Sequence, residues 1–441
     1  MSILKAPALR RRLRVPLSLT AVVVALAGCA DDAPLDTLEP KGPSASDIDT
    51  LSNTLFIMSA VVFVLIFGAC AVIFTRYRVK NHDDDEWPAQ THGNNTLEVG
   101  WTVVPAIVMA IVAVLTMSVL FGLYDTEADA ITVDAGEGLV EWDPHVVVVG
   151  QQWWWEYRYY FDPDVIEQIV DADLPDVDGV VSEVLAKRLP PADIVTSGQM
   201  VIPAGQEVEL SITSRDVLHS HWIPALNGKR DAVPSKVTPW KVEADRPGFF
   251  FGQCTEFCGL SHSRMRMQIL ALDEGEFQTW VTEQMQPAGA PSPEAATWLA
   301  SVNDEDPAND LPAPEATAAE RGLVAFTQNC TGCHLIDGVN DSTYTGADQV
   351  SGAAPNLTHF ASRTTFAGAL LDTYEANGRF NANDLAKWLR NPESVKAMDP
   401  PRRGMPNLGL GEDTINDLIA YLETLGNVPG GQETITQTIV D

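Results

Sequence analysis

Basic residues are few in this chain. Lysine and arginine number 28 against 60 aspartates and glutamates, a formal net charge of −32 over 441 residues. So acidic a protein repels phosphate backbones, which argues against nucleic acid as a partner, and it attracts cations or basic partners. Cysteine is scarce too, at six, so each placement asks for a reason. Charge is missing altogether from two stretches, Leu55 to Phe74 and Trp101 to Leu123. About 20 apolar residues cross a bilayer as a helix, so each stretch reads as a transmembrane span. Arg76, Arg78 and Lys80 follow the first span. The positive-inside rule then puts the connecting loop in the cytoplasm and both ends of the hairpin outside.

The N-terminus carries Lys5, Arg10, Arg11, Arg12 and Arg14 ahead of a short apolar core, Val15 to Ala27. That is the layout of an export signal. It ends in LAGC, Leu26 to Cys29, which resembles the lipobox of bacterial lipoproteins. The resemblance implies a lipoprotein-type signal peptide over 1–28 and lipidation at Cys29. A plain signal peptide or an uncleaved anchor is the alternative.

Composition divides the rest. Residues 29–50 are acidic and rich in Pro and Ser, a tether. Residues 51–125 hold the two-helix hairpin, and Cys70 inside it reads as an apolar core residue. Over 126–285 the runs HVVVVGQQWWWEYRYYF, QEVELSITS, FFFGQC and MRMQILAL alternate with turn formers. They predict a small antiparallel β-sandwich or barrel, interrupted by an acidic insertion at 163–198. Residues 286–313 read as a linker. Residues 314–428 form an all-α unit, whose last helix puts Ile415, Leu418, Ile419, Leu422 and Leu425 on one face. Residues 429–441 are a tail. The helical unit is itself acidic, so charge is not expected to hold it on an acidic sandwich. The linker is expected to supply proximity.

The helical unit contains Cys330-Thr-Gly-Cys333-His334. C-x-x-C-H attaches c-type haem: two thiols reach the two vinyl groups and the histidine reaches the iron. Zinc or thiol redox chemistry is the competing reading. The surroundings resemble a class I cytochrome c. Gly322 and Phe326 precede the motif, and Leu418 and Tyr421 lie on the final helix, where such domains cross their terminal helices. Pro355 resembles the proline packed against the haem histidine. A methionine opposite His334 would raise the haem potential. Met405 precedes a proline shortly before the last helix, as the family ligand does. Met398 does not, and reads as an ordinary loop methionine.

GQCTEFCGLSHSRM, residues 252–265, places Cys254, Cys258, His262 and Met265 within twelve residues. Soft thiolates, a thioether and imidazole suit copper. Two Cys and two His also suffice for tetrahedral zinc, and the two cysteines could form a disulfide. A further histidine comes from DVLHSHW, residues 216–222. Strand alternation cannot choose between His219 and His221, because residues two apart share a face.

Together these segments resemble the binuclear copper (CuA) centre of cytochrome c oxidase subunit II, whose pattern is D-V-L-H-S followed by C-x-E-x-C-x-x-x-H-x-x-M. The C-terminal unit resembles the fused cytochrome c of some members. The resemblance implies a multidomain membrane protein: a transmembrane hairpin, a cupredoxin-like β-sandwich, then a cytochrome c domain. It implies two copper ions bridged by Cys254 and Cys258. His219, selected by the match to D-V-L-H, His262, Met265 and the carbonyl of Glu256 would complete the site. Haem c would sit on Cys330, Cys333, His334 and Met405. Magnesium would bind the Glu256 side chain at the interface with subunit I. Trp153 aligns with the family's electron-entry tryptophan; the alternative, an aromatic core residue of a strand, is the reading for Trp154 and Trp155. Glu98 resembles a glutamate at a proton-path entrance, or is a simple interfacial residue.

The function implied is a subunit of an oxygen-reducing, proton-translocating oxidase in a bacterial cell membrane, multi-pass, with its soluble domains outside. Subunits I and III would be partners, and a cytochrome c or a quinol–cytochrome c reductase the electron donor. Oxygen would be reduced in subunit I, not here. A quinol-oxidase subunit would lack the copper ligands. A stand-alone membrane-anchored copper/haem electron carrier or copper-binding protein is the alternative.

Overall fold

The structure is a computed structural model that describes residues 35–78, 92–126, 128–136, 138–170, 189–303, 311–340, 354–399 and 403–428. The expected leader, Cys29 and the tail lie outside the described residues. Two long helices come first, then a β-sandwich, then a helical unit.

The helices are Pro43–Arg76 and Asn95–Tyr124, of 34 and 30 residues. At about 1.5 Å per residue, each exceeds the ~30 Å of a bilayer core. Their apolar side chains face outward along almost the whole length, as a lipid-facing surface does. Asn94 caps the second helix by accepting from the amides of Thr96 and Leu97.

The expected tether is not loose where it is described. Lys41 N donates to Ala225 O at 2.7 Å, Ala45 N to Leu226 O at 3.1 Å, and Asp245 N to Lys41 O at 2.9 Å. A Cβ at Gly42 would overlap the carbonyl of Glu243, so only glycine lets the chain lie this close. The second helix is fastened at Tyr124, whose ring packs edge-on to Trp240 at 5.9 Å beneath the guanidinium of Arg230.

One sheet of the sandwich runs Thr238–Val242, Val208–Ser214, His145–Gln151, Trp154–Tyr159, Ile194–Ser197. The other runs Gly248–Gln253, Arg266–Leu272, Gln199–Pro203. The sheets are mixed rather than antiparallel, since His145–Gln151 pairs parallel with Val208–Ser214, and Arg266–Leu272 with Gln199–Pro203. The valine run is buried on both faces. Val146 and Val148 join the main core, while Val147 and Val149 pack with Tyr160, Ile169 and Leu189. A strand covered on both sides has no polar face to alternate with. The helix Pro163–Val170, at the start of the expected insertion, supplies that outer cover through Ile169. The end of the insertion is no insertion: Ile194–Ser197 is an edge strand of the first sheet.

Residues 286–313 contain the helix Pro293–Val302, capped by Ser292, rather than linker alone. Ala295, Trp298 and Leu299 bury in the helical unit's core. The proline that reads as linker occupies the helix's first turn, where its missing N–H costs nothing.

In the helical unit, Ala318–Asn329 crosses Glu412–Leu422. A Cβ on Gly322 would overlap Asp417 O and crowd Tyr421. The glycine therefore sets how close the two helices come, and Phe326 meets Tyr421 at 5.8 Å. The unit lies directly on the sandwich. Gln199 Oε1 accepts from both the amide and the hydroxyl of Thr364 at 2.9 Å. His359 Nε2 meets Gln284 O at 3.1 Å, and Arg266 N donates to Gly368 O at 3.2 Å. Lys396 donates to Trp153 O. Net charge is a poor guide here, because contact is decided by the groups that touch.

Candidate metal centre and haem cavity

The residues 254–265 form the loop of a β-hairpin. Its strands pair up to Gln253 and Arg266, and Cys254 N closes the loop on Met265 O at 2.8 Å. The strand His219–His221 is stitched alongside, with Thr255 N donating to Ser220 O at 3.1 Å and Gln253 N to Trp222 O at 3.1 Å. Segments distant in sequence thus share one buried spot.

The two thiols lie 3.8 Å apart, too far for a disulfide. His219 Nδ1 is 3.9 Å from Cys254 Sγ, and Glu256 O is 3.3 Å from the same sulfur. His262 Nδ1 is 3.6 Å and Met265 Sδ 3.8 Å from Cys258 Sγ. The thiols hold each other out of step. A hydrogen bond from Cys258 pulls Cys254 down to about 3, and that same bond pushes Cys258 up. Both can be thiolates at once only with positive charge beside them.

Asp216 separates the two histidines in role. Its Oδ1 holds His219 Nε2 at 2.8 Å, which leaves Nδ1 turned to the sulfur. A carboxylate on one imidazole nitrogen fixes the tautomer that offers the other to a metal. Burial lowers His219, but Asp216 and Cys254 outweigh it and leave it raised. His221 is instead wedged edge-on to Trp155 at 5.1 Å, with Nε2 3.4 Å from Tyr157 OH. Burial drops it to about 4, so it is a neutral core ring.

In the helical unit, His334 N donates to Cys330 O at 2.8 Å, coiling the C-x-x-C-H segment on the end of its helix. His334 Nδ1 lies 2.8 Å from Pro355 O, which frees Nε2 for a ligand. Cys330, Cys333 and His334 line a cavity of about 530 Å³ with Phe326, Leu385 and Leu418. That is cofactor size, and its walls are largely apolar. Met398 and Met405 both reach it. Met405 packs on the helical core, whereas Met398 packs on the sandwich core and against Gly404. Met398 is therefore not the plain loop methionine expected.

Three family models match in succession: the cytochrome c oxidase subunit II transmembrane domain over 38–119, its periplasmic domain over 145–272, and cytochrome c over 319–426. The cytochrome c oxidase subunit 2 of Alkalihalophilus pseudofirmus is 32% identical over 413 residues, covering 93% of this chain and 96% of its own length. The chain belongs to the cytochrome c oxidase subunit II family. The Bacillus subtilis subunit 2 is 28% identical over 423 residues, covering 93% of this chain and 97% of its own. A solved periplasmic domain of subunit II from Bradyrhizobium japonicum is 28% identical, covering 32% of this chain and 93% of that one, with a TM-score of 0.23.

As a subunit of a haem–copper oxidase, the chain fits copper by its donors. Two sulfurs, two imidazoles, a thioether and a carbonyl make six around one spot, more than the four of a tetrahedral ion. Trp153 sits in the turn before Trp154–Tyr159. Its Nε1 donates to Cys258 O at 3.0 Å, and the residue also lines the cavity that holds Cys330, Cys333 and His334. The Glu256 side chain is exposed. Glu98 lies in the first turn of the second membrane helix, away from both sites in the chain. Asp216, Lys396 and Arg403 were not singled out from sequence. Asp216 had a signal, its place three before His219. Lys396 and Arg403 had none, because their partners lie in another domain.

Proposed function

We propose that this chain carries electrons from a cytochrome c or a quinol–cytochrome c reductase to the oxygen-reducing subunit I of a respiratory haem–copper oxidase. Cys330, Cys333, His334 and Met405 hold haem c. His219, Cys254, Cys258, His262, Met265 and the Glu256 carbonyl hold a pair of copper ions. Bound, these groups supply one-electron redox chemistry. The observation that carries the reading is Trp153, which touches the copper loop through Cys258 O and walls the haem cavity as well. Asp216 and Pro355 fix two of the three ligating histidines, His219 and His334, and the two thiols of the copper loop are buried. Little then reorganises as charge changes.

Phe257, Leu260 and Leu218 stand exposed around the copper loop, at 77%, 65% and 46%. An apolar rim of that kind fits a covering protein surface, and subunit I is its occupant in this reading. Magnesium at Glu256, a role for Glu98 in proton uptake, contact with subunit III and proton translocation by the assembly complete it. So do removal of residues 1–28, lipidation of Cys29 and soluble domains outside a bacterial cell membrane. The domain limits that go with it are those read from sequence, except that the sandwich takes in residues 41–45 and the helical unit takes in residues from Ala288.

The test is purification from membranes, followed by visible and electron paramagnetic resonance spectra. A c-haem band, a mixed-valence two-copper signal and co-purification with a large haem subunit are expected. Spectra of both centres without that subunit would instead mark a stand-alone electron carrier.

A further inference from the structure

Arg403 stands two residues before Met405, on the helical unit. Its backbone is pinned, with Arg403 N donating to Asp399 O at 2.6 Å and Asp399 N to Arg403 O at 3.1 Å. Its Nε lies 3.6 Å from Asp216 Oδ2, across the boundary with the sandwich. Asp216 Oδ2 also accepts the amide of Gln152 at 2.8 Å, and Oδ1 holds His219 Nε2. Two contacts therefore run from the loop of one proposed metal ligand to another, Arg403 to Asp216 and Asp216 to His219. Asp216 is 6% exposed and Arg403 48%.

We propose that Arg403 is a positioning residue of the copper site, so that the docked helical unit completes the outer shell of a metal centre in a different domain. The proposal rests on the copper reading above. A carboxylate on a ligating histidine raises the basicity of that ligand. A guanidinium on the same carboxylate draws off part of its charge and limits that effect. Arg403 thereby sets how strongly Asp216 acts on His219.

The pair is not what fastens the domains. An ion pair with one half-exposed partner adds little to stability. Docking has independent holds in Lys396 on Trp153 O, Arg264 on Val395 O and Thr364 on Gln199. Arg403 can therefore be altered with the units still in place.

The experiment uses the full metal-loaded chain at fixed pH and salt, as wild type, R403Q, R403K, D216N and D216N/R403Q. The copper spectrum, the copper midpoint potential and protease cleavage between the units are followed. R403Q should disfavour copper reduction, by about five- to tenfold in the equilibrium constant, the low end of outer-shell and coupling effects. Its cleavage pattern should stay that of wild type, and R403K should shift less. In the D216N background, R403Q should add nothing, because the carboxylate it acts through is gone. An unchanged copper centre in R403Q overturns the proposal, as does an equal shift with and without Asp216. A shift accompanied by new cleavage also overturns it, since Arg403 would then be a fastener. Absence of a two-copper signal from the wild-type chain is the separate result that sinks the copper reading itself.

Discussion

The indole of Trp153 donates to the carbonyl of Cys258 at 3.0 Å, while the Trp153 carbonyl accepts from Lys396 of the helical unit. One residue thus links the copper loop to the unit that carries the haem motif. Trp153→Phe keeps a ring but removes the donor. Gln152 Nε2 still reaches Cys258 O at 2.7 Å, so the stability cost, about 1–3 kcal/mol, comes mainly from the space the smaller ring leaves in the core. Flash reduction of the haem followed by optical detection at the copper band should show slower transfer. An unchanged rate would place the route elsewhere.

His219 and His221, two apart on one strand, should behave oppositely. His219→Asn should distort or abolish the mixed-valence copper signal, because it removes the only ring whose free nitrogen faces Cys254 among the described residues. His221→Asn should keep the signal and lose thermal stability, since a buried ring edge-on to Trp155 is lost. Cys254→Ser should abolish the signal, as a hard oxygen replaces a thiolate. Electron paramagnetic resonance of each variant decides it.

Met405→Ala should leave haem attached through Cys330 and Cys333 and lower its midpoint potential, since a thioether ligand favours reduced iron. Met398→Ala should leave the potential near wild type but weaken docking. The cost should stay below the roughly 2–5 kcal/mol of a fully buried Met→Ala, as Met398 is only partly buried. Redox titration of the haem band, with protease cleavage between the units, separates the two. A potential drop in the Met398 variant alone would reverse the ligand assignment.

His145 makes acid stability testable apart from the metals. It is buried at the start of its strand with Nε2 2.8 Å from Ser211 Oγ, and burial drops it to about 4 despite Glu209 at 3.6 Å. Its folded value lies below the unfolded 6.5, so the unfolded chain binds more protons between pH 6.5 and 4. Its contribution is therefore complete above pH 6.5 and is lost as pH falls through that window, by ~3 kcal/mol at most. Unfolding of wild type and His145→Gln at pH 7, 5.5 and 4.5 should show a smaller acid loss in the variant. Parallel losses would mean that His145 does not carry the effect.

Local patterns made much of this legible. The twelve-residue metal loop, the two uncharged spans and Gly322 facing a final helix all act through near neighbours or a strict period. Other features needed the folded chain. The valines of 145–149 show no alternation, because helix Pro163–Val170 covers the face that would have been polar. Trp298 and Leu299 are too short an apolar signal to reveal a helix inside an acidic, proline-rich stretch. His219 and His221 share a strand, and only the positions of Asp216 and Trp155 give them different surroundings. The docking of two acidic units was hidden because composition adds charges that never meet.

The sandwich is joined to the hairpin at two points, the hydrogen bonds at Lys41 and Ala45 and the edge-on aromatic contact at Tyr124. A body on one stalk can swivel, whereas a body on two legs cannot. The height and heading of the copper loop above the bilayer are therefore dictated by the helices themselves. A thinner membrane, in which the helices must lean, would lean the loop with them and alter the gap it presents to a neighbouring subunit.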